Sequence, residues 1–431
     1  MTQSMLAGAN LVMPDRVATG HTLVVEGDRI ADVFAGPRLT GSNERRLQLD
    51  GHFVVPGFVD VHVHGVAGVD VLDGPDAVAA VAAVLPRYGV TAFCPTSIAC
   101  PPDVLERLFA SVASGRRLRP ATSARVLPAH LESNFISPEY RGAQPLACLR
   151  TPDRGVAGVH GTNDAFTGAM ILDVIERNRP DVGIVTMAPE ISGGLDLVRA
   201  LVASGVRVSI GHSGAGYEQA RAAIAAGVCH ATHLFNRMSP FSHHDPGVAG
   251  AVLETDDVAA ELICDGYHVH PAAMRVAIAA KSPARIMAIT DGTAGSGLPE
   301  GSRSTLGGQS IVVGEVARLP DGTTAGSVLT MDQAFARLVT RCGCDLVQAA
   351  TMCSTTPARE LRLQGHGVIA TGAMADLVIL NGRLEVVETW IAGVPIWSKI
   401  RDISREAGES AVGAPSGSVP PGPSVPEHGT R

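Results

Sequence analysis

The chain has 431 residues, of which 45% are hydrophobic and 18% charged, and its formal net charge is −8. This composition supplies a large apolar core, and it excludes a wholly disordered chain and a coiled coil. The negative charge and the aromatic content of only 4% argue against nucleic acid as a partner.

Short β-strands are predicted near both ends of the chain. Residues 21–30 alternate in hydrophobicity around a Gly-Asp turn, and a second strand ends at residues 51–57. A similar pattern returns over 375–380 and 384–397. We expect residues 1–56 and 371–400 to pair into one small β domain, a β-sandwich that flanks the middle of the chain. Residues 401–431, rich in Gly, Pro and Ser, are expected to form a disordered tail.

The middle of the chain alternates predicted strands with predicted helices. The strands are expected at 58–64, 91–95, 125–131, 183–188, 207–211, 229–234, 260–264 and 285–290. The helices are expected at 76–88, 102–118, 165–178, 194–204, 217–226 and 271–280, with later outer helices at 331–342 and 345–351. Eight β-then-α units predict a closed (β/α)8 TIM-like barrel over residues 57–370. A doubly wound open sheet is the alternative.

The C-terminal ends of the first and third predicted strands carry imidazoles and a carboxylate. His62 and His64 lie two residues apart, so both point to one face of a strand and can grip a metal ion together. His130 and Glu132 also share a face, and Glu132 could bind or bridge metal ions. Active sites of such barrels lie at this end of the strands.

The later strands add three more candidate groups. The fifth strand ends at His212, and the eighth ends at Asp291. On the sixth strand His230 and His233 lie three residues apart, so only one can face inward; His233 is the better metal ligand and His230 a packed structural residue. An aspartate at a strand tip can be a helix cap, but above several histidines Asp291 is better interpreted as a general base. Imidazole and carboxylate together favour zinc or another divalent first-row metal and a metal-assisted hydrolysis.

These residues occur in motifs that resemble the amidohydrolase superfamily and, within it, the N-acetylglucosamine-6-phosphate deacetylase family. The resemblance covers roughly residues 20 to 398. The most specific motifs are His130-Leu131-Glu132, Gly211-His212-Ser213, Thr232-His233-Leu234-Phe235-Asn236, Asp265-Gly266-Tyr267-His268 and Thr290-Asp291-Gly292. Only two lysines occur, Lys281 and Lys399, and neither ends a predicted barrel strand, so a carboxylated lysine bridge between metals is excluded.

The resemblance implies a role for each of these groups. Glu132, His212 and His233 would hold the main catalytic metal, and the retained pair His62 and His64 makes a second metal plausible. Asp291 matches the catalytic acid and base of the family. Asn236 and His268 match residues that contact the sugar phosphate. We therefore expect a divalent metal, zinc above all, with one or two ions per subunit.

Departures from the family pattern cluster around the expected substrate. Gln144 stands where a histidine helps to orient the acetyl carbonyl, and His244 stands where an arginine of the neighbouring subunit grips the phosphate. Arg237 replaces a small residue and could supply that positive charge from a new position; the alternative is a solvated surface arginine. Residues 133–134 and 214–216 also differ from the family.

The expected reaction is hydrolysis of the acetamide of N-acetylglucosamine 6-phosphate to glucosamine 6-phosphate and acetate. Metal-bound hydroxide would attack, with Asp291 as general base and then acid. The alternatives are a deacetylase of a different or unphosphorylated N-acyl amino sugar and a non-catalytic barrel. The eight scattered cysteines, the lack of a signal-peptide pattern at Met1-Thr2-Gln3-Ser4 and the absence of a long apolar run favour a cytoplasmic protein with no membrane contact. The family suggests a homodimer.

Overall fold

The computed structural model describes residues 3–36, 44–118, 122–152 and 166–399. Its centre is a barrel of eight parallel strands, as the sequence predicts. Each strand is hydrogen-bonded to the next in chain order, and the third strand is in two pieces. The strands are Phe58–Val63, Val90–Ser97, Arg125–Val126 with Ala129–Glu132, Val182–Met187, Arg207–Ile210, His230–Ala231, Ala259–Ile263 and Ile286–Ile289.

The barrel closes between its first and last strands. Val63 and Gly292 form a parallel bridge, and the Asp291 amide donates to the His62 carbonyl at 2.9 Å. This closure excludes the open doubly wound sheet. It also places the residues that follow the eighth strand beside the His62–His64 end of the first.

Helices follow most of the barrel strands. Among the described residues, seven helices lie between barrel strands along the chain: Ala77–Val84, Pro102–Leu118, Gly168–Arg177, Gly194–Ala203, Tyr217–Ala225, Gly247–Glu254 and Pro271–Lys281. Met331–Thr340, Leu346–Ala350 and Thr356–Glu360 come later in the chain. Short 3₁₀ turns occur at Leu85–Tyr88, Leu146–Cys148, Arg179–Asp181 and Pro283–Arg285, and Thr351–Thr355 is a π-helical turn. None of the helices in the described ranges combines the length and hydrophobicity of a membrane-crossing segment.

The terminal segments pair as the sequence predicts. Their strands join in one hydrogen-bonded sheet of eight: Gln3–Val12, Val17–Glu26, Arg29–Ala35, Glu44–Gln48, Phe53–Pro56, Leu377–Leu380, Val386–Ile391 and Val394–Ser398. The two ends of the chain meet where Phe53–Pro56 runs antiparallel to Leu377–Leu380. This sheet has its own apolar core, which includes Leu23 and Trp390. The domain boundaries at 56/57 and 370/371 stay a prediction, and the tail at 401–431 lies outside the described residues.

Several predicted elements need correction. The third strand is interrupted at Pro128, which has no N–H to donate to a neighbouring strand. The sixth strand is shorter than the predicted 229–234 and ends at Ala231, because the chain turns sharply at His233, where φ is +31°. The helix Gly247–Glu254 was not predicted, since its two glycines weaken the helical pattern.

A second unpredicted element is a small antiparallel sheet after the eighth strand. Its strands are Arg303–Leu306, Gln309–Val313 and Ala317–Arg318. A two-stranded hairpin, Gly65–Val66 with Val69–Asp70, follows the first strand. Leu306, in the small sheet, contributes to the wall of the cavity described below.

We expect the helix Met331–Thr340 to be held by its buried apolar face. Leu338 is fully buried, so Leu338→Ala should destabilise the protein by about 2–5 kcal/mol through lost burial and the cavity left behind. Leu118, which is 73% exposed, provides the matched control: Leu118→Ala should change stability by no more than about 0.5 kcal/mol. Urea unfolding measures both. Equal effects of the two variants would contradict the packing of this helix.

Candidate metal centre

The carboxylate of Glu132 lies at the centre of the polar cluster in the barrel mouth. Its Oε1 is 2.9 Å from His212 Nε2 and 2.8 Å from His233 Nε2. His62 Nε2 lies 3.7 Å from Oε1, and His64 Nε2 lies 3.8 Å from Oε2. Glu132 thus belongs to two groups of possible metal ligands, one with His62 and His64 and one with His212 and His233.

Hydrogen bonds on the far side of three imidazoles turn their Nε2 atoms toward Glu132. The Nδ1 atom of His62 donates to Glu261 Oε2 at 2.9 Å. His64 Nδ1 donates to the Thr96 carbonyl at 3.0 Å, and His212 Nδ1 donates to the Tyr140 carbonyl at 2.8 Å. Such bonds fix the tautomer and leave the Nε2 lone pair free for a metal ion.

The Nε2 atoms also approach one another closely. His62 and His64 are separated by 3.3 Å between these nitrogens, and His212 and His233 by 3.0 Å. Neutral imidazoles would direct lone pairs at each other at these distances, so each pair needs a proton or a cation between its members. Imidazole nitrogen and carboxylate oxygen are ligands that zinc accepts. The residues present therefore fit a divalent metal.

Burial and charge set the protonation of these histidines. Burial lowers the pKa of His62 to about 4. Burial also opposes the charging of His64 and His233, but hydrogen bonds to Asp291 and Glu132 respectively, together with the charges of nearby carboxylates, outweigh it and raise both pKa values to about 9. A divalent cation would displace these protons on binding.

Asp291 stands directly above the first pair of histidines. Its Oδ1 lies 3.3 Å from His62 Nε2 and 3.2 Å from His64 Nε2. Burial opposes its ionisation, but the two imidazoles outweigh burial and lower the pKa of Asp291. Its side chain is therefore an ionised carboxylate at neutral pH, which is the state that a general base requires.

Three of these groups occupy the left-handed backbone region that most residues avoid. The φ angles are +48° at His212, +31° at His233 and +47° at Asp291. Each residue lies two positions beyond the last residue of its barrel strand. The unusual backbone turns each side chain across the barrel mouth, at a cost of about 1–3 kcal/mol per residue.

Comparison with known proteins gives the family. The sequence profile of the Amidohydrolase family matches residues 53–396. The chain belongs to the amidohydrolase family. It is 37% identical over 351 residues to an N-acetylglucosamine-6-phosphate deacetylase of Lysinibacillus sphaericus, covering 81% of this chain and 86% of the relative. It is 35% identical to an N-acetylgalactosamine-6-phosphate deacetylase of Escherichia coli O157:H7, covering 80% and 88%.

A solved structure agrees with this assignment. A variant of N-acetyl-D-glucosamine-6-phosphate deacetylase from Mycobacterium smegmatis, in complex with N-acetyl-D-glucosamine-6-phosphate, has a TM-score of 0.82 and 32% sequence identity. The similarity covers 92% of this chain and all of that one. It confirms the TIM-like barrel with a flanking β-sheet.

The amidohydrolase has a cavity of about 320 Å³ above the cluster, a size typical of the smaller ligand sites. Glu132, His64 and Asp291 line its floor. Gln144 also lines it, although it is buried: its amide donates to Glu132 Oε2 and accepts from the Ala99 amide at 2.7 Å. The structure thus places Gln144 against Glu132, with its second amide N–H unused by the described hydrogen bonds.

Three other predicted residues lie around the same cavity. Asn236 and His268 line it, and the Asp265 carboxylate accepts from His268 Nδ1 at 2.6 Å, which fixes the ring. Arg237 is exposed at the cavity, and its guanidinium has no carboxylate partner among the described residues. His244 is exposed and is not part of the lining of its own chain's cavity.

Sequence reasoning missed two supporting carboxylates. Glu261 lies in the middle of an apolar strand, where a charged residue was itself a signal. Glu190 accepts from Ser213 Oγ at 2.7 Å and from the Gly214 amide at 2.6 Å, so it holds the turn that follows His212. His230, predicted to be structural, lies away from Glu132, with Nε2 3.6 Å from Glu360.

The sharing of Glu132 predicts unequal effects of ligand loss. Glu132→Ala removes a ligand atom from both groups, so the variant should lose all tightly bound metal. His62→Ala removes a ligand from one group only and should leave the ion held by His212 and His233. Metal per chain after dialysis, measured by elemental analysis, checks both. Retention of full metal content by Glu132→Ala would contradict a shared carboxylate.

Proposed function

We propose that the chain hydrolyses the acetamide of N-acetylglucosamine 6-phosphate to glucosamine 6-phosphate and acetate. The observation that carries this proposal is the 37% identity to a deacetylase of that substrate over most of both chains. The geometry supports it: a carboxylate shared by four imidazoles, with an ionised aspartate beside it, lies at the floor of a cavity of small-molecule size.

We infer that the metal is Zn²⁺, held by Glu132, His212 and His233, with His62, His64 and Glu132 holding a second ion. The donor set of imidazole nitrogens and carboxylate oxygens supports this choice. When bound, the metal supplies Lewis-acid chemistry, which makes water more acidic and polarises a carbonyl.

Asp291 is the group that moves the proton in this proposal. Its ionised carboxylate takes a proton from the attacking water as the new C–O bond forms at the acetyl carbon. It then gives that proton to the sugar nitrogen as the C–N bond breaks, so that the amine and acetic acid form, and the acid passes its remaining proton to the amine to give acetate and the ammonium form of the sugar. Its position 3.2 Å from His64 Nε2 and its place in the cavity lining support this role.

Arg237 is the candidate cation for the phosphate group. Its guanidinium lies close to Gly142, where an added Cβ would come within 2.7 Å of Arg237 Nε, so the glycine makes room for it. A guanidinium without a carboxylate partner can bind a phosphate through paired hydrogen bonds. His268 and Asn236 would complete the recognition of the sugar phosphate from the same wall of the cavity.

The first test is acetate release from three substrates by the zinc-loaded chain. N-acetylglucosamine 6-phosphate should be turned over fastest, and unphosphorylated N-acetylglucosamine slowly. N-acetylgalactosamine 6-phosphate belongs in the same assay, because a relative named for that sugar is 35% identical. Faster turnover of N-acetylgalactosamine 6-phosphate would change the proposed substrate and leave the proposed reaction as it is. No turnover of any of them by a metal-loaded protein would reject the proposal.

The proton-transfer role of Asp291 predicts the behaviour of Asp291→Asn. The variant keeps an oxygen near His62 and His64 but cannot accept a proton, so kcat should fall by about 10²- to 10⁴-fold. Metal content and thermal stability should stay close to those of the unmodified chain. Near-normal turnover by a metal-loaded Asp291→Asn would show that another group moves the proton.

The phosphate role of Arg237 predicts a loss confined to phosphorylated substrate. Arg237→Ala should lower kcat/KM for the sugar phosphate by about 10- to 100-fold, the range for a hydrogen-bonded charged group. It should leave the slow turnover of the unphosphorylated sugar unchanged. Arg199→Ala is the matched control, because Arg199 is exposed and pairs with Asp196 on an outer helix. Equal losses on both sugars would assign Arg237 a merely structural role.

We also infer a homodimer in which His244 faces the partner's cavity. The exposure of His244 and its absence from its own cavity lining are compatible with that position. Light scattering of the purified chain measures the assembly state, and a monomer that retains full activity would contradict the arrangement. The cytoplasmic location stays a prediction, supported by eight free cysteines in the described structure.

A further inference from the structure

A buried carboxylate lies beneath the metal ligands and takes no part in the proposed reaction. Glu261 sits in the strand Ala259–Ile263, between the apolar residues Ala260 and Leu262, and its side chain is fully buried. Burying a carboxylate costs several kcal/mol unless strong partners compensate. The buried Glu261 carboxylate therefore needs a hydrogen-bonding partner close to it.

The closest side-chain partner is His62. Glu261 Oε2 accepts from His62 Nδ1 at 2.9 Å, and the same oxygen lies 3.4 Å from the His233 amide nitrogen. The Glu261 carbonyl accepts from the Leu234 amide at 2.8 Å. One residue thus contacts a histidine of each ligand group from below, opposite the cavity.

We propose that Glu261 is a positioning residue that holds His62 in its Nδ1–H tautomer, aims Nε2 at the metal and so sets the affinity of the His62–His64–Glu132 group. The inference rests on the metal centre of the proposed function. As a carboxylate, Glu261 can only accept at His62 Nδ1, which leaves the Nε2 lone pair free. A carboxylate behind a ligating imidazole also makes the imidazole a stronger donor to the metal.

His130 helps to assign the direction of this contact. Its Nδ1 donates to the Val61 carbonyl at 2.9 Å, and its Nε2 accepts from Thr186 Oγ1 at 2.7 Å. Both nitrogens are thus occupied, and Glu261 Oε1, 3.7 Å from His130 Nδ1, has no hydrogen-bond partner among the described atoms. Of these two histidines, His62 is therefore the one that Glu261 can orient.

The same geometry argues against a third ion site. The ligand atoms of His62, His130 and Glu261 lie within 4.8 Å of one another. An ion there would have to break the bonds of His130 to Val61 and Thr186, and it would turn His62 away from Glu132. His62, His130 and Glu261 are therefore better explained as support for the metal centre above them than as a separate ion site.

The test is Glu261→Gln in the full chain, which keeps the shape of the side chain and removes its charge. Zinc bound by the two groups is measured by competition with a chromophoric chelator, and Co²⁺ absorption reports the geometry of each ion. One of the two ions should bind about 10- to 100-fold more weakly, and the other should keep its affinity to within a few-fold. Glu388→Gln is the matched control, because Glu388 is 1% exposed on the terminal sheet, and it should leave both affinities unchanged.

A double variant tests whether Glu261 acts through His62. In a His62→Ala background, Glu261→Gln should leave the affinity of the remaining ion unchanged, since its route to the metal is gone. A further large loss in that background would overturn the inference, because Glu261 would then support the centre in another way. If Glu261→Gln does not fold, Glu261→Asp keeps the charge but withdraws the carboxylate, and the same selective loss is expected of it.

Two further results would also overturn the inference. In one, Glu261→Gln binds both ions as the unmodified chain does, which would leave Glu261 a packing residue. In the other, the unmodified chain binds a single ion and Glu261→Gln does not alter it. Both results are compatible with full acetate release by the unmodified chain, so they separate this inference from the proposed function. If the unmodified chain released no acetate but Glu261→Gln still weakened one ion selectively, the proposed function would be rejected and the inference about Glu261 would stand.

Discussion

The charge of Glu132 is the constraint on which the rest of the centre depends. A carboxylate that is 3% exposed must be compensated, and here four imidazoles from the first, fifth and sixth strands and their following turns surround it. Those groups are up to 171 residues apart along the chain, from 62 to 233, and only a closed barrel brings the ends of their strands to one mouth. The bridge between Val63 and Gly292 then adds Asp291 to the same group.

The site also depends on backbone that the chain would not adopt by itself. His212, His233 and Asp291 have positive φ, and each such residue costs about 1–3 kcal/mol. The surrounding turns provide compensation: Glu190 holds the turn after His212, and the Asp291 amide is bonded to the first strand. The strained residues are those whose side chains converge on the barrel mouth, so the strained backbone would preorganise them for the proposed metal.

The sequence predicted the barrel, the terminal sheet and the residues that the structure gathers in the mouth. It could do so because histidines at strand ends, and side chains two residues apart that share one face of a strand, are local signals. It placed His233 by assuming that the sixth strand continued, whereas the strand ends at Ala231 and a left-handed turn directs the imidazole. The alternation of side chains between the two faces of a strand carries no information about such a turn. A charged residue inside an apolar strand makes Glu261 conspicuous, but its hydrogen bond to His62, 199 residues away, is recorded by no local pattern.

The polar groups that line the cavity differ in their burial. Glu132 and Asp291 are nearly fully buried at the floor, whereas Arg237 is exposed at the mouth. In the proposed function, a phosphate dianion that met Arg237 would stay near solvent, where its desolvation costs least, while the neutral acetamide reached the buried carboxylates. Gln144 donates a hydrogen bond to Glu132 from a neutral amide, so it stabilises the carboxylate and leaves its negative charge in place. In the proposed function, the buried carboxylates would serve the chemistry and the exposed Arg237 the recognition of phosphate, so the two roles would fall to side chains at different depths of one cavity.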